Sequence, residues 1–245
     1  MKNPIIELQN VSFAYEKNNA VLRNISLRAE AHESVGLIGA NGAGKSTLLR
    51  LLVGLLPHFS GSASIAGFPL TAENLPAIRA KAGYVLQDSD SQLFMSTAFE
   101  DIAFAPRNYG LPAAEVERRV TQALELVGVP QLRDKQIFKM SGGEKKLVAI
   151  AGIMAMRPEI ILMDEPSVAL DPRNRKNLIR LLNSFPQFKI IASHDLDLIL
   201  DTCPRTVLLY QRQIVYDGPT AAILANEELL QAYGLELPLS LQRPK

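Results

Sequence analysis

Ser34-Val-Gly-Leu-Ile-Gly-Ala-Asn-Gly-Ala-Gly-Lys-Ser46 decides the architecture of this 245-residue chain. Ser34 to Ile38 is a short apolar run of the kind found in strands buried on both faces. A glycine-rich turn follows, and then Lys45 to Leu56, apolar nearly all round, predicts a buried helix. Gly39 to Ser46 fits the spacing G-x-x-x-x-G-K-[ST]. Glycines at these places let backbone N–H groups wrap a phosphate chain without Cβ clashes. The helix that begins there adds the positive end of its dipole. Gly39, Asn41, Gly42, Ala43, Gly44, Lys45, Ser46 and Thr47 are therefore candidate nucleotide contacts. Lys45 is expected to reach the β- and γ-phosphates, and Ser46 to hold Mg²⁺.

Upstream, Ile6, Leu8, Val11 and Phe13 alternate imperfectly, and Val21 to Ala29 is a second β-like run. Downstream, Gln87 to Met156 reads as mainly helical. In Pro112 to Gly128, the residues Val116, Val120, Ala123, Leu124 and Val127 share one helical face, with a Pro start and a Gly stop. Strand character returns at Glu159 to Asp164 and at Lys189 to Ser193, with a helix around Arg175 to Leu182 between them. Strands separated by helices argue a parallel sheet covered on its faces. The expectation is one α/β core, residues 1–86 and 157–235, interrupted by a helical insertion at 87–156. A tail follows at 236–245, and the stretch from Gly234 onward reads as loop or loosely docked chain.

Two acids end the strand Ile160-Ile-Leu-Met-Asp164-Glu165. In an open α/β sheet, Asp164 at the strand's carboxyl end points into the ligand crevice. It can hold Mg²⁺ through water, because that ion keeps part of its hydration shell. Glu165 is then placed to orient and deprotonate an attacking water, with positioning supplying much of the effect.

Ser141 and Glu144, in Met140-Ser141-Gly142-Gly143-Glu144, have the S-x-x-E spacing of a capping box before the helical run Lys145 to Met156. The order of all these motifs, with Gln87 between the first and the second, Ala169-Leu-Asp171 after the acids and His194 after a strand, resembles the ATP-binding cassette family. The resemblance runs from about Ile5 to about Leu230. It implies a P-loop ATPase core with a mainly parallel sheet, an N-terminal antiparallel β subdomain and an inserted helical subdomain. It also implies roles. Tyr15 matches the aromatic that stacks on adenine. Gln87 matches the glutamine that senses Mg²⁺ and the attacking water, and His194 the histidine that contacts the γ-phosphate. Ser141, Gly142, Gly143 and Glu144 match the signature that meets the nucleotide held by the opposite subunit, and Asp171 the loop that crosses between subunits. ATP and Mg²⁺ are the implied cofactors, and Glu165, His194 and Gln87 the implied catalytic residues. Glutamate at 144 departs from the more common glutamine, and the capping box turns its carboxylate back to its own backbone, away from a phosphate.

Gly83-Tyr-Val-Leu-Gln-Asp-Ser-Asp-Ser-Gln-Leu-Phe94 is similar to a segment of energy-coupling-factor importers. Glu100 to Phe104, Gly110 to Pro112 and Ile150 to Pro158 extend that similarity. The ending, from Ser193 to Leu200, through Asp217 to Pro219 and on to Gly234–Pro238, resembles the cobalt and nickel members most. Leu147 departs from a basic residue common there. The implied assembly is a homodimer, or a pair with a homologous ATPase, beneath a transmembrane coupling protein and a substrate-capture membrane protein. Its place would be peripheral, on the cytoplasmic side of the cell membrane. The shortness of the C-terminal end favours the homodimer. A vitamin importer is the alternative, and a soluble ATPase of the same superfamily the more distant one. The insertion is too short for the coiled coil of a DNA-repair or chromosome-organising enzyme. A small-molecule kinase has no use for Ser141 to Gly143.

Composition is consistent with this. The chain is 47% hydrophobic and 21% charged, with a formal net charge of +1, so nothing predicts electrostatic capture of nucleic acid. One cysteine, Cys203, rules out an internal disulfide. No stretch approaches the ~18 apolar residues of a membrane span, and Met1 to Asn10 lacks the pattern of a secretory leader. His32, His58 and His194 are dispersed and have no ligand spacing.

Overall fold

The computed structural model describes residues 4–16 and 19–242. The first three residues of the N-terminal stretch and the last three of the tail lie outside the described residues. Two sheets form the frame. The first is antiparallel: β1 (Ile6–Ala14), β2 (Ala20–Ala29), β4 (Ser60–Ile65) and β5 (Phe68–Pro69), in the order β2-β1-β4-β5. The second contains β3 (Ser34–Ile38), β6 (Ala82–Val85), β7 (Ile160–Asp164), β8 (Phe188–Ala192), β9 (Arg205–Tyr210) and β10 (Gln213–Pro219). Its order is β10-β9-β3-β8-β7-β6. All its neighbours run parallel except the β9–β10 hairpin at one edge.

Every residue of β3, β7 and β8 is buried, and alternation divides them between two cores. Ile160, Leu162, Ile190, Val207 and Leu209 pack towards the antiparallel sheet and α1 (Lys45–Leu52). Ile161, Met163, Ile191 and Leu208 pack the other way, with the helical side of the molecule. That side holds α3 (Ala98–Asn108), α4 (Ala113–Leu126), α5 (Gly142–Met154), α6 (Pro172–Ser184), α7 (Leu196–Thr202), α8 (Thr220–Leu224) and α9 (Glu227–Ala232). The short α2 (Leu75–Lys81) leads into β6. A strand sandwiched in this way shows no polar face, which is why its sequence reads as an unbroken apolar run.

Three sequence expectations need adjusting. The helix after the glycine loop stops at Leu52, not Leu56. Gly54 takes φ +64°, its N–H bonds the Leu51 carbonyl and the Leu55 N–H bonds the Arg50 carbonyl, which is a Schellman stop. Leu55 is left exposed. The imperfect alternation of β1 is a bulge: register shifts between Leu8 and Val11, with Asn10 at φ +52°. That extra residue is why Ile6, Leu8, Val11 and Phe13 are nonetheless all buried. Among its described residues the tail holds no strand or α-helix, yet it is seated. Leu235 and Leu237 pack against the helical-side core, and the N–H groups of Leu239 and Ser240 donate to Asp197 at 2.9 and 3.0 Å.

Candidate functional site

At the carboxyl ends of β3, β7 and β8, a cavity of about 490 Å³ opens between the glycine loop and the ends of the two other strands. Asn41, Gly42, Ala43, Gly44, Lys45, Ser46, Thr47, Gln87, Asp164, Glu165 and His194 all line it, together with Val21. The parallel topology brings them together, because consecutive crossovers deliver every strand's carboxyl end to one edge of the sheet.

Glycine is required at two places in the loop. Gly39 has φ +147°, and a Cβ there would meet the Leu209 carbonyl oxygen at 2.3 Å. Gly44, at φ +109°, is the N-cap of α1 and lies against the Val21 carbonyl oxygen. A Cβ at Gly42 would meet nothing within 4 Å, so the loop presents bare backbone at that point. The Lys45 ammonium crosses the loop to the Gly39 carbonyl at 2.6 Å. Burial pulls its pKa below the usual lysine range, and Glu165 and Asp164 oppose that pull.

The two carboxylates differ in their surroundings. Glu165 accepts hydrogen bonds from Ser193 Oγ (3.0 Å) and from the His194 backbone N–H (3.1 Å), and His194 Nδ1 stands 2.8 Å from its Oε2. It is buried and takes φ +48°, a left-handed conformation that costs about 1–3 kcal/mol in a residue with a side chain. The Glu165 N–H bond to the Ala192 carbonyl helps to hold it there. Asp164 is buried too. Its Oδ2 accepts from the Tyr84 hydroxyl at 3.1 Å, whereas its Oδ1 is fully buried with no partner. An unpaired buried carboxylate oxygen is costly. A hydrated cation would satisfy it, and Ser46 and Gln87 stand on the same cavity wall. The residues therefore fit Mg²⁺ in kind: hard oxygen donors, few in number, with room for waters.

The signature segment lies elsewhere. Ser141 is the N-cap of α5, with its Oγ accepting the Glu144 N–H at 3.2 Å while Glu144 Oε2 accepts the Ser141 N–H at 2.7 Å. This capping box faces the Glu144 carboxylate backwards, and Lys135 then grips both of its oxygens at 2.8 Å. The Lys135 ammonium, with the Ser141 N–H, holds the Glu144 pKa below the usual carboxylate value. None of Ser141, Gly142 and Gly143 lines the phosphate-loop cavity. Ser141 and Gly142 are exposed, and a Cβ on Gly142 would press on Ala169 at 3.3 Å. Asp171 is the N-cap of α6, accepting from the Asn174 N–H at 2.8 Å. Tyr15 also stands outside the cavity wall, 55% exposed and edge-on to Phe13.

Several participants carried no sequence signal. Lys146, only 2% exposed, donates to the Leu86 carbonyl at 2.9 Å and the Gln87 carbonyl at 2.7 Å, joining α5 to the segment that bears Gln87. Tyr84 and Arg50 line a second cavity of about 420 Å³ that shares Gln87 and Asp164 with the first. A lysine inside a helical run reads as surface, and a strand tyrosine as core. Only the fold shows where their polar ends go.

Comparison with known proteins fits this geometry. Residues 22–168 match the family model described as ABC transporter. A protein of Geobacter sulfurreducens, described in general terms as an ABC transporter ATP-binding protein, is 47% identical over 99% of this chain and 97% of its own length. The energy-coupling factor transporter ATP-binding protein EcfA of Methanothermobacter thermautotrophicus is 41% identical over 96% of this chain and 77% of its own. Among solved structures, CbiO1 from Clostridium perfringens, part of the ABC transporter complex cbiONQ, superposes with a TM-score of 0.83. Its identity is 30%, with 97% of each chain covered.

Proposed function

Because this chain belongs to the ABC transporter family, as an ATP-hydrolysing subunit resembling the energy-coupling-factor branch, we propose that it is one half of an ATP-driven clamp powering import of cobalt or nickel ions. The observation that carries the clamp is a separation. The phosphate loop, Asp164, Glu165, His194 and Gln87 converge on one cavity, while Ser141 and Gly142 present an exposed helix start outside it. A helix N-terminus offers unpaired N–H groups and a positive dipole to an anion. A second copy, or a homologous ATPase, would supply that helix start to this chain's nucleotide, and receive this chain's in return.

In this reading, Gly39 to Thr47 wrap the phosphates of ATP and Lys45 exchanges its loop carbonyl for phosphate oxygen. Tyr15, exposed beside the site, stacks on adenine. Ser46, Asp164 and Gln87 would hold Mg²⁺, which would supply positive charge against that of the phosphates. Glu165 orients the attacking water and takes its proton. His194 steadies Glu165 through Nδ1 and offers its ring, 65% exposed, to the γ-phosphate. Asp171 sits where the partner subunit would cross.

The motor needs a membrane partner, since among the described residues no helix is long and apolar enough to cross a membrane. Phe94 and Phe104 support docking of a transmembrane coupling protein just beyond Gln87. They stack edge-on at 4.8 Å and remain 63% and 37% exposed. The chain would then work peripherally, at the cytoplasmic face. The importer class rests on the resemblance of Gly83–Phe94 to energy-coupling-factor importers, and the cargo assignment on that of the segment from Ser193 onward to their cobalt and nickel members. Its test is accumulation of both ions in the native organism, comparing the intact chain with Glu165→Gln at the same locus. A drop in one ion supports the assignment. Unchanged ions with the protein still on the membrane would overturn it and direct the search to labelled vitamins.

A further inference from the structure

Asp164 offers its two oxygens to different things. Oδ1 is buried without a partner, and Oδ2 accepts the Tyr84 hydroxyl at 3.1 Å. Rotation about the terminal carboxylate bond is soft, so an otherwise unrestrained carboxylate would present its oxygens in a range of directions. Tyr84 sits in β6, paired in parallel register with Leu162 of β7, two residues from Asp164. Its ring is therefore anchored by the same sheet that carries the carboxylate. The Arg50 guanidinium lines the same second cavity as Tyr84. Arg50 belongs to the last turn of α1, the helix that starts at the phosphate loop.

Tyr84 and Arg50 line the second cavity, and neither lines the phosphate-loop cavity.

We propose that Tyr84 is a positioning residue of the Mg²⁺ site: its hydroxyl fixes Oδ2 of Asp164 and so leaves Oδ1 free for the metal's hydration shell. The inference rests on the ATP site and is independent of what the assembly transports. Outer partners that orient metal-holding groups commonly matter by an order of magnitude or more in metal affinity. Tyr84→Phe keeps the ring and its packing and deletes only the donor.

The test uses the full purified chain and a fluorescent ATP analogue, titrated first in EDTA and then with Mg²⁺, with thermal unfolding recorded alongside. For Tyr84→Phe, nucleotide affinity in EDTA stays at the parental value. The Mg²⁺ concentration for half-maximal tightening rises about tenfold. Binding of Mn²⁺ with ATP, read by electron paramagnetic resonance, weakens in parallel. A parental Mg²⁺ midpoint in well-folded Tyr84→Phe would overturn the proposal. So would a loss of affinity that is equal with and without Mg²⁺, because that is the mark of a merely structural role. Failure of cobalt or nickel accumulation would leave this result untouched.

Discussion

The phosphate loop and the signature segment are both glycine-rich helix starts, and the fold treats them in opposite ways. Gly44 and Lys45 begin α1 at the floor of a cavity walled by the carboxyl ends of three parallel strands. Ser141 and Gly142 begin α5 at the surface, and the buried Gly143 lies against Ala169 and Leu170. One helix start is surrounded by the carboxylates, the histidine and the glutamine that its chemistry needs. The other has its own N–H groups partly satisfied by a capping box, and Gly142 borders only the second cavity, which shares Gln87 and Asp164 with the first. In the proposed clamp, one chain's candidate catalytic residues wait on a helix start lent by a second chain.

The comparison sharpens most under a pair of substitutions. Glu165→Gln should lower steady-state phosphate release about a thousandfold, the scale of a lost general base, while leaving ATP binding intact. Ser141→Arg should lower it about a hundredfold, the scale of a blocked electrostatic contact to the reacting phosphate. At concentrations too low for association, Ser141→Arg should bind nucleotide like the parent, measured by fluorescence anisotropy. Weaker binding there would place the signature in its own chain's pocket and break the contrast.

Lys146 links the two regions, since it grows from the signature helix and ends on the Leu86 and Gln87 carbonyls. Lys146→Gln shortens the chain and offers fewer donors, so at least one buried carbonyl loses its partner, at a cost of about 1–3 kcal/mol. The expected outcome is a lower melting temperature and a kcat reduced about tenfold with KM for ATP little changed. Arg at this position should recover part of the kcat if the link to Gln87 is what matters.

The smallest effect concerns Glu144. Glu144→Gln keeps the capping box, because glutamine accepts as glutamate does, and releases only the Lys135 pair. Melting temperature near neutral pH should hardly move. In the parent, the folded-state pKa of Glu144 lies below its ordinary value of 4.5. Its stabilising contribution is therefore complete above about pH 4.5 and is lost as pH falls through the lowered folded value. Thermal unfolding down the acid limb should show a slightly shallower fall in Glu144→Gln than in the parent.

Much of this was legible in the residues themselves. Gly39 to Ser46 announced the loop because backbone geometry forces glycine at 39 and 44. The runs Ser34–Ile38 and Ile160–Asp164 announced buried strands because both faces are covered. The capping box at Ser141 and Glu144 was readable because it is a local device. What stayed hidden was non-local. Lys135 reaches Glu144 across nine residues and Lys146 reaches Gln87 across 59, and neither spacing has a sequence signature. Tyr84 meets Asp164 only because β6 and β7 are neighbours in the sheet. The early end of α1 was a different kind of miss, since Gly54 stood in plain view as a stop signal and the apolar run around it obscured it.

The central claim, that each site is built from two chains, is tested most directly by mixing two inactive variants. Lys45→Ala disables a chain's own phosphate pocket, and Ser141→Arg disables what it lends to its partner. Mixed dimers of the two place the intact pocket of one against the intact signature of the other. Each variant alone should show background hydrolysis, and an equimolar mixture should regain activity, up to about a quarter of the parental rate for random pairing. A mixture that stays at background while the mixed dimers demonstrably form, or Ser141→Arg alone hydrolysing like the parent, would contradict the shared site.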